Sequence, residues 1–141
     1  MPAVPRAAYP AASPVLRPWL RTDGASEEGN AMTMIENLHG MLERGIDTAL
    51  LRYSLGAELL KIGNADAAIT HLREAIKHDA EYSAAWKVLG KALAESGKHD
   101  EAVDVLGQGI EVAERRGDIQ AAKEMGVFRK RSQRVLDNPA D

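Results

Sequence analysis

The sequence predicts an all-α protein made of antiparallel helix-turn-helix repeats, because one pattern of residues occurs twice between Leu50 and Gly117. The second occurrence follows the first at a constant offset (90 − 56 = 34). A period of this length is typical of stacked helical hairpins, which bury their apolar faces only against neighbouring hairpins. The matched residues are Leu55, Gly56, Leu59, Gly63, Asp66, Ala68, Leu72 and Ile76, which recur as Leu89, Gly90, Leu93, Gly97, Asp100, Ala102, Leu106 and Ile110.

Residues 1–31 are predicted to form a disordered N-terminal tail. Five of the six prolines of the chain lie in this segment, and proline lacks the backbone N–H that regular secondary structure needs. The end of the segment, from Asp23 to Asn30, is polar and contains two glycines, which also favours disorder. Trp19 leaves open the alternative that the tail docks on the domain or on a partner.

A helical domain is expected over residues 32–137. Its first helix is predicted to begin near Thr33 and to end at Arg44, because Ile35 and Leu38 share one helical face and Thr33 has capping-box spacing to Glu36. Moving the repeat register back by one period aligns Leu38 with Leu72 (72 − 34 = 38). This helix therefore resembles the second half of a repeat whose first half is absent.

We expect each repeat to form a pair of helices joined by a tight turn at a glycine. The repeats cover about residues 50–83 and 84–117. Asp47 and Ser83 are the expected N-caps of the first helix of each pair. The four helices are expected at about 48–62, 65–79, 84–96 and 99–116.

Two glycines, Gly56 and Gly90, lie inside the first helix of each repeat. A glycine in a helix costs about 1 kcal/mol relative to alanine, so its recurrence at one position indicates a close packing contact. Leu72 and Leu106, which also recur, are expected to fill the space between neighbouring helix pairs.

A final helix, expected over about 118–136, is interpreted as a cap of the array. One face of this helix is apolar and contains Ala121, Met125 and Phe128. The other faces carry many cations, which suits an end of the array that is exposed to water. The basic residues are Lys123, Arg129, Lys130, Arg131 and Arg134.

Composition excludes several classes of function. The chain has no cysteine, so disulfides and thiol chemistry are absent, and its net charge of −3 does not favour a general nucleic-acid or membrane binder. The basic patch on the last helix lacks the interleaved aromatics of a nucleic-acid surface. No apolar run has the length of about 18 residues that suggests a membrane span, and we expect a cytoplasmic location.

An enzyme is also not expected. None of the four histidines has the i, i+4 spacing of a helical metal pair, and neither a phosphate-binding loop nor a nucleophile elbow is present. We therefore expect no catalytic residues, cofactor or metal.

The repeated residues resemble those of the tetratricopeptide-repeat (TPR) family. The second repeat supplies Trp86, Leu89-Gly90 and Ala102 at family positions, and the first supplies Leu55-Gly56, Ala68 and Ala75. Arg52 replaces the family's first aromatic residue, and Ala80 and Glu114 stand where proline is usual. The resemblance covers about residues 50–136. It implies a short right-handed α-solenoid with two TPR units, a preceding helix and a C-terminal capping helix.

The resemblance also implies a non-enzymatic adaptor or scaffold that binds a peptide or protein segment on its concave face. That face is lined by the first helix of each pair. The family's groove positions fall on Tyr53, Ala57, Leu60, Lys61, Lys87, Lys91, Met125 and Phe128. Lys87 and Lys91 would form a basic edge that attracts an acidic or C-terminal segment. The alternative is that both lysines only cover a solvated helix face and that Tyr53 is a packing residue.

A second interpretation is structural self-association, because two repeats bury little surface and leave both ends of the array unfinished. The helix from Thr33 to Arg44 and the last helix are the candidate surfaces, and Met32, Met34 and Met41 near one end suit an adaptable contact. The expected state is then a monomer or a weak homodimer. The clamp with which some family members bind chaperone tails is not expected, since Tyr53 and Ala57 occupy its Lys and Asn positions.

Overall fold

The computed structural model describes residues 23–139, and this part of the chain contains six α-helices and no strand. Consecutive helices pack against each other in antiparallel pairs, so the predicted all-α repeat architecture is confirmed. The helices are α1 (Asp23–Glu43), α2 (Ala49–Lys61), α3 (Ala65–His78), α4 (Ser83–Glu95), α5 (His99–Arg115) and α6 (Ile119–Asp137).

Helix α1 begins at Asp23, not near Thr33 as the sequence predicted. The last part of the predicted tail, residues 23–31, is therefore helical, and the prediction of disorder is wrong there. Thr33 lies inside α1, where its Oγ1 donates a hydrogen bond to the carbonyl oxygen of Gly29 at 3.0 Å instead of capping the helix. Residues 1–22, including Trp19, lie outside the described part of the chain.

The N-terminus of α2 is capped by Thr48, whose side chain accepts a hydrogen bond from the Leu51 backbone N–H at 3.1 Å. Asp47, the predicted cap, binds the guanidinium of Arg52 at 2.7 Å. It also lies 3.0 Å from His78 Nε2. The aspartate thus connects α2 with the end of α3 and does not cap the N-terminus of α2.

The predicted cap Ser83 is the first residue of α4, and it is buried. Its Oγ donates a hydrogen bond to Asp118 Oδ2 at 3.0 Å, which joins the α3–α4 connection to the start of α6. The predicted turns at Gly63 and Gly97 are confirmed. Both glycines have positive φ, 85° and 80°, a conformation that residues with a side chain rarely adopt.

The helices form two layers. Helices α2, α4 and α6 contact one another in turn along one layer. Within the described residues, α1, α3 and α5 contact only helices of that layer and not each other. An array bends toward the layer in which neighbours are closer, so we call the exposed surface of α2, α4 and α6 the inner face.

One continuous core runs through both repeats and into α6. Its largest completely buried side chains include Leu55, Leu72, Leu93, Leu106 and Met125. The repeated glycines lie in close helix contacts, as predicted: a Cβ placed on Gly56 would lie 2.5 Å from Cγ of Leu72. None of the described helices has the combination of length and hydropathy needed to cross a membrane.

Helix α5 has 17 residues whereas α3 has 14, and this difference changes the repeat register of the last helix. Helix α4 starts one full period after α2 (83 − 49 = 34), but α6 starts later than one period after α4 (119 − 83 = 36). In this register, which we call the shifted register, Met125-Gly126 of α6 corresponds to Leu89-Gly90 of α4. Met125 and Leu89 are both buried, which supports this alignment.

Candidate functional site

The inner face is cationic. The family's groove positions on α2 and α4 carry Lys61, Lys87 and Lys91 with one acid, Glu95. The shifted register adds three more cations from α6 and no further acid. Two of these six cations pair with neighbouring acids, Lys61 with Glu58 and Lys87 with Glu124. The remaining cations still outnumber the one acid at these positions, which favours an anionic partner over a basic one. The α6 residues at these positions are Gln120, Lys123, Val127, Lys130 and Arg131.

On α2, the predicted groove residue Tyr53 is half-buried and packs against Tyr82, with 5.0 Å between the ring centroids. Partial burial raises the pKa of the Tyr82 hydroxyl. Ala57 and Leu60 are also half-buried, and Lys61 is exposed beside Glu58, with 3.1 Å between Nζ and Oε2. This part of the inner face therefore presents one paired cation and a partly covered aromatic cluster.

Lys87 does not form the predicted basic edge with Lys91. Its Nζ lies 2.7 Å from Glu124 Oε1 and links α4 to α6. The hydrogen bond from Lys87, with a second from Gln120, holds the pKa of Glu124 below its usual value. Because the charge of Lys87 is neutralised inside the protein, this residue is a structural link between the two helices.

A pocket of about 220 Å³ opens between the C-terminal halves of α4 and α6. The predicted groove residue Lys91 forms one wall of this pocket together with Ala94 and Glu95, which also belong to α4. Ligand sites for cofactors usually have volumes of about 300–1,000 Å³, so this pocket fits a single side chain better. The other lining residues are His99 from α5 and Phe128, Arg131, Ser132 and Val135 from α6.

Phe128 contributes aromatic surface to the pocket, and two cations lie close to its ring. Lys91 Nζ lies 5.4 Å and Arg131 Cζ lies 5.6 Å from the ring centroid. Both distances are within the range of cation–π attraction, which orients the cations without neutralising them. Among the described residues, neither cation forms a salt bridge. The pocket thus combines apolar surface with two positive charges.

Met125, another predicted groove residue, is completely buried and belongs to the core. The prediction placed it on the groove because it continued the strict repeat register into α6. Arg131 and Val135 were missed for the same reason. The sequence contained one signal of this shift, since the apolar pattern of α5 continues about one turn beyond that of α3.

A polar cluster of His39, Arg52 and His71 connects α1, α2 and α3. Arg52 Nη1 lies 3.1 Å from His71 Nδ1, and the His71 ring makes an edge contact with His39 at 5.6 Å between centroids. Burial, followed by the charge of Arg52, lowers the pKa of His71. Within residues 23–139, no group of three or more His, Asp or Glu side chains is arranged so that it could bind a metal ion. The cluster therefore connects helices.

The stacked helix pairs and the inner face define a helical-repeat interaction module. A family model for the tetratricopeptide repeat matches residues 59–125. The TPR repeat-containing protein PA0015 of Pseudomonas aeruginosa is 45% identical over 102 residues, which cover 72% of this chain and 97% of that protein. The chain therefore belongs to the tetratricopeptide-repeat family.

Solved structures show the same fold. Protein BPP2914 from Bordetella parapertussis is 40% identical and has a TM-score of 0.64, with 74% of this chain and 92% of that chain covered. The TPR2B domain of yeast Sti1, solved in a complex with pHsp70, is 15% identical with a TM-score of 0.67. That match covers 77% of this chain and 98% of the domain, and it shows similarity of fold alone.

Proposed function

We propose that this protein binds an acidic segment of another protein on its inner face. An apolar side chain of the segment enters the pocket between α4 and α6, and neighbouring carboxylates contact Lys91 and Arg131. The observation that carries this proposal is that both cations lie close to the Phe128 ring, at 5.4 and 5.6 Å from its centroid. Apolar side chains provide contact area, and carboxylates provide charge-assisted contacts with cations.

The electrostatics of the inner face support an anionic partner. Lys87 forms an ion pair with Glu124. Lys91 and Arg131 form no salt bridge among the described residues and line the pocket together with a single acid, Glu95. A carboxylate approaching the pocket therefore meets an excess of positive charge, which increases the association rate and weakens with added salt. The TPR2B domain of yeast Sti1 forms a complex with pHsp70, so this architecture is able to hold a protein partner.

Selection of peptides from a random display library against the immobilised full chain tests the proposal. We expect enriched sequences in which Asp or Glu flanks a Leu, Ile or Phe. A fluorescent peptide of the enriched sequence should bind the wild-type chain in an anisotropy titration. Its affinity should fall at least tenfold for the double variant Lys91→Glu/Arg131→Glu.

The matched control is Arg73→Glu/Lys77→Glu, which reverses two charges on α3, in the other layer. Both of its residues are well exposed and bind acids at the surface, so the fold should persist, as circular dichroism would check. The control should bind the peptide with the wild-type affinity. Enriched peptides that bind Lys91→Glu/Arg131→Glu as tightly as the wild type would place the site elsewhere and overturn the proposal.

A further inference from the structure

An ion pair borders the pocket between α4 and α6 on the side of the helix N-termini. On α4, Lys87 precedes the pocket residue Lys91 by about one helical turn (91 − 87 = 4). On α6, Glu124 precedes the pocket residue Phe128 by the same interval (128 − 124 = 4). Residues at this spacing are neighbours on one face of a helix. Since Lys87 Nζ lies 2.7 Å from Glu124 Oε1, the cation next to the pocket is already bound to a carboxylate of the protein.

Glu124 is held in this position as an ionised group. Its Oε2 accepts a second hydrogen bond, from Gln120 Nε2 at 3.2 Å. The hydrogen bond from Lys87, followed by that from Gln120, lowers the pKa of the Glu124 carboxyl. Both side chains of the ion pair stay partly exposed, 28% for Lys87 and 39% for Glu124. A ligand on the inner face therefore reaches Lys87 only where Glu124 is already bound.

Glu124 presents to Lys87 the same chemical group that an acidic ligand would present. A ligand carboxylate that approaches Lys87 has two ways to bind it. It displaces Glu124, which then loses its hydrogen bonds with Lys87 and Gln120, or it shares the ammonium group with Glu124. Sharing places two negative charges side by side, and like charges repel. In both cases the gain from the new contact is offset, so an acidic ligand residue opposite Lys87 adds little affinity.

We propose that Glu124 is a specificity-determining residue of the inner face, which limits the acidic part of the ligand to the positions that contact Lys91 and Arg131. This inference rests on the proposed binding of an acidic segment. The rise from Lys91 to Lys87 along α4 is about 6 Å, which an extended segment spans with about two residues. The ligand position at which Glu124 disfavours an acid therefore lies about two residues from the acid that contacts Lys91.

Glu124→Gln tests the inference, because glutamine keeps the shape and the hydrogen-bonding capacity of the side chain but removes its charge. Peptide display against the immobilised full-length variant should enrich sequences with one more Asp or Glu than those enriched on the wild type. The additional acid should stand at one fixed position relative to the apolar residue. In an anisotropy titration, a fluorescent peptide with this acid should bind Glu124→Gln about threefold or more tightly than it binds the wild type.

Two further variants separate the release of Lys87 from a change in net charge. Lys87→Met/Glu124→Gln removes the released cation and has the net charge of the wild type, so its affinity for this peptide should return to the wild-type value. Glu101→Gln is the matched control, because it breaks an ion pair of the same length, 2.7 Å to Arg73, in the other layer. Its net charge equals that of Glu124→Gln, but it should bind like the wild type. Circular dichroism checks that all variants fold.

The outcomes distinguish this inference from the proposed function. If peptides enriched on the wild type bind Lys91→Glu/Arg131→Glu with unchanged affinity, the proposed site is wrong and the role of Glu124 is overturned with it. If that variant loses affinity but Glu124→Gln enriches the same sequences as the wild type, the proposed site stands and the role of Glu124 alone is overturned. An equal gain in affinity for Glu101→Gln or for Lys87→Met/Glu124→Gln would also overturn it, since the gain would not come from Lys87.

Discussion

Gly90 of α4 and Leu106 of α5 are in such close contact that a methyl group on Gly90 would overlap the leucine side chain. The contact between Gly56 and Leu72 in the preceding repeat has the same geometry. The glycine therefore sets the distance between the two helices of a pair, and the leucine occupies the space that the missing side chain leaves.

We predict opposite effects of alanine at two equivalent glycines. Gly90→Ala should destabilise the fold by about 1–3 kcal/mol, because overpacking outweighs the better helix propensity. Gly126→Ala should stabilise it by up to about 1 kcal/mol, since α6 has free space at this position. Urea unfolding at a concentration where the protein is a single species measures both values. If both variants changed the free energy of unfolding by the same amount and in the same direction, the proposed packing role of Gly90 would be contradicted.

The repeat pattern predicted most of this packing because it depends on identities at fixed spacing. The leucines, glycines and alanines of the core recur at one constant period. The leucines fill the core, and the glycines and alanines allow neighbouring helices to approach closely. Five helices were therefore predicted to within a residue or so of their observed ends. The turns at Gly63 and Gly97 followed from the positive φ that glycine allows.

The site was less predictable because it depends on the last helix. Helix α5 is longer than α3 (17 − 14 = 3), and the register of α6 shifts relative to the strict repeat (36 − 34 = 2). This shift buries Met125 and places Arg131 on the inner face, and a constant period does not predict either outcome. The early start of α1 was missed because the glycines from Asp23 to Asn30 indicated a loop.

Leu72→Ala should destabilise the protein by about 2–5 kcal/mol, since it removes a completely buried side chain and leaves a cavity over Gly56. Leu50→Ala is the control, because Leu50 is 64% exposed on α2 and its truncation should change stability by less than about 0.5 kcal/mol. Chemical denaturation of both variants against the wild type measures these differences. A small effect of Leu72→Ala would show that the helix pairs close around the cavity.

The ion pair of Lys87 and Glu124 predicts a lowered pKa for the Glu124 carboxyl. NMR titration of the Glu124 carboxyl should show a pKa below the ordinary value of 4.5, mainly because of the hydrogen bond from Lys87. Lys87→Met should move this pKa upward, and Lys77→Met, which removes a lysine from α3, should leave it unchanged. A depressed carboxylate pKa stabilises the fold above the unfolded-state value, and this contribution is lost as the pH falls through the folded-state value. An unchanged pKa in Lys87→Met would mean that the pair does not form in solution.

The lowered pKa of His71 predicts that the folded protein loses stability in mild acid. Its pKa is lowered by burial and by the positive charge of Arg52, so the folded state favours the neutral ring. The unfolded chain takes up a proton near a pH of about 6.5, where the folded protein does not. Stability contributed by this group is therefore present above that pH and decreases as the pH falls toward the folded-state pKa.

His71→Gln keeps a hydrogen-bond acceptor for Arg52 but does not titrate in this range. The melting temperature of the wild type should fall more between pH 7.5 and pH 5.5, about one unit on either side of the unfolded-state value, than that of the variant. An NMR titration of the His71 ring should show a midpoint below 6.5. Equal losses of melting temperature in both proteins, with a midpoint at or above 6.5, would show that the ring is solvated and that Arg52 does not approach it.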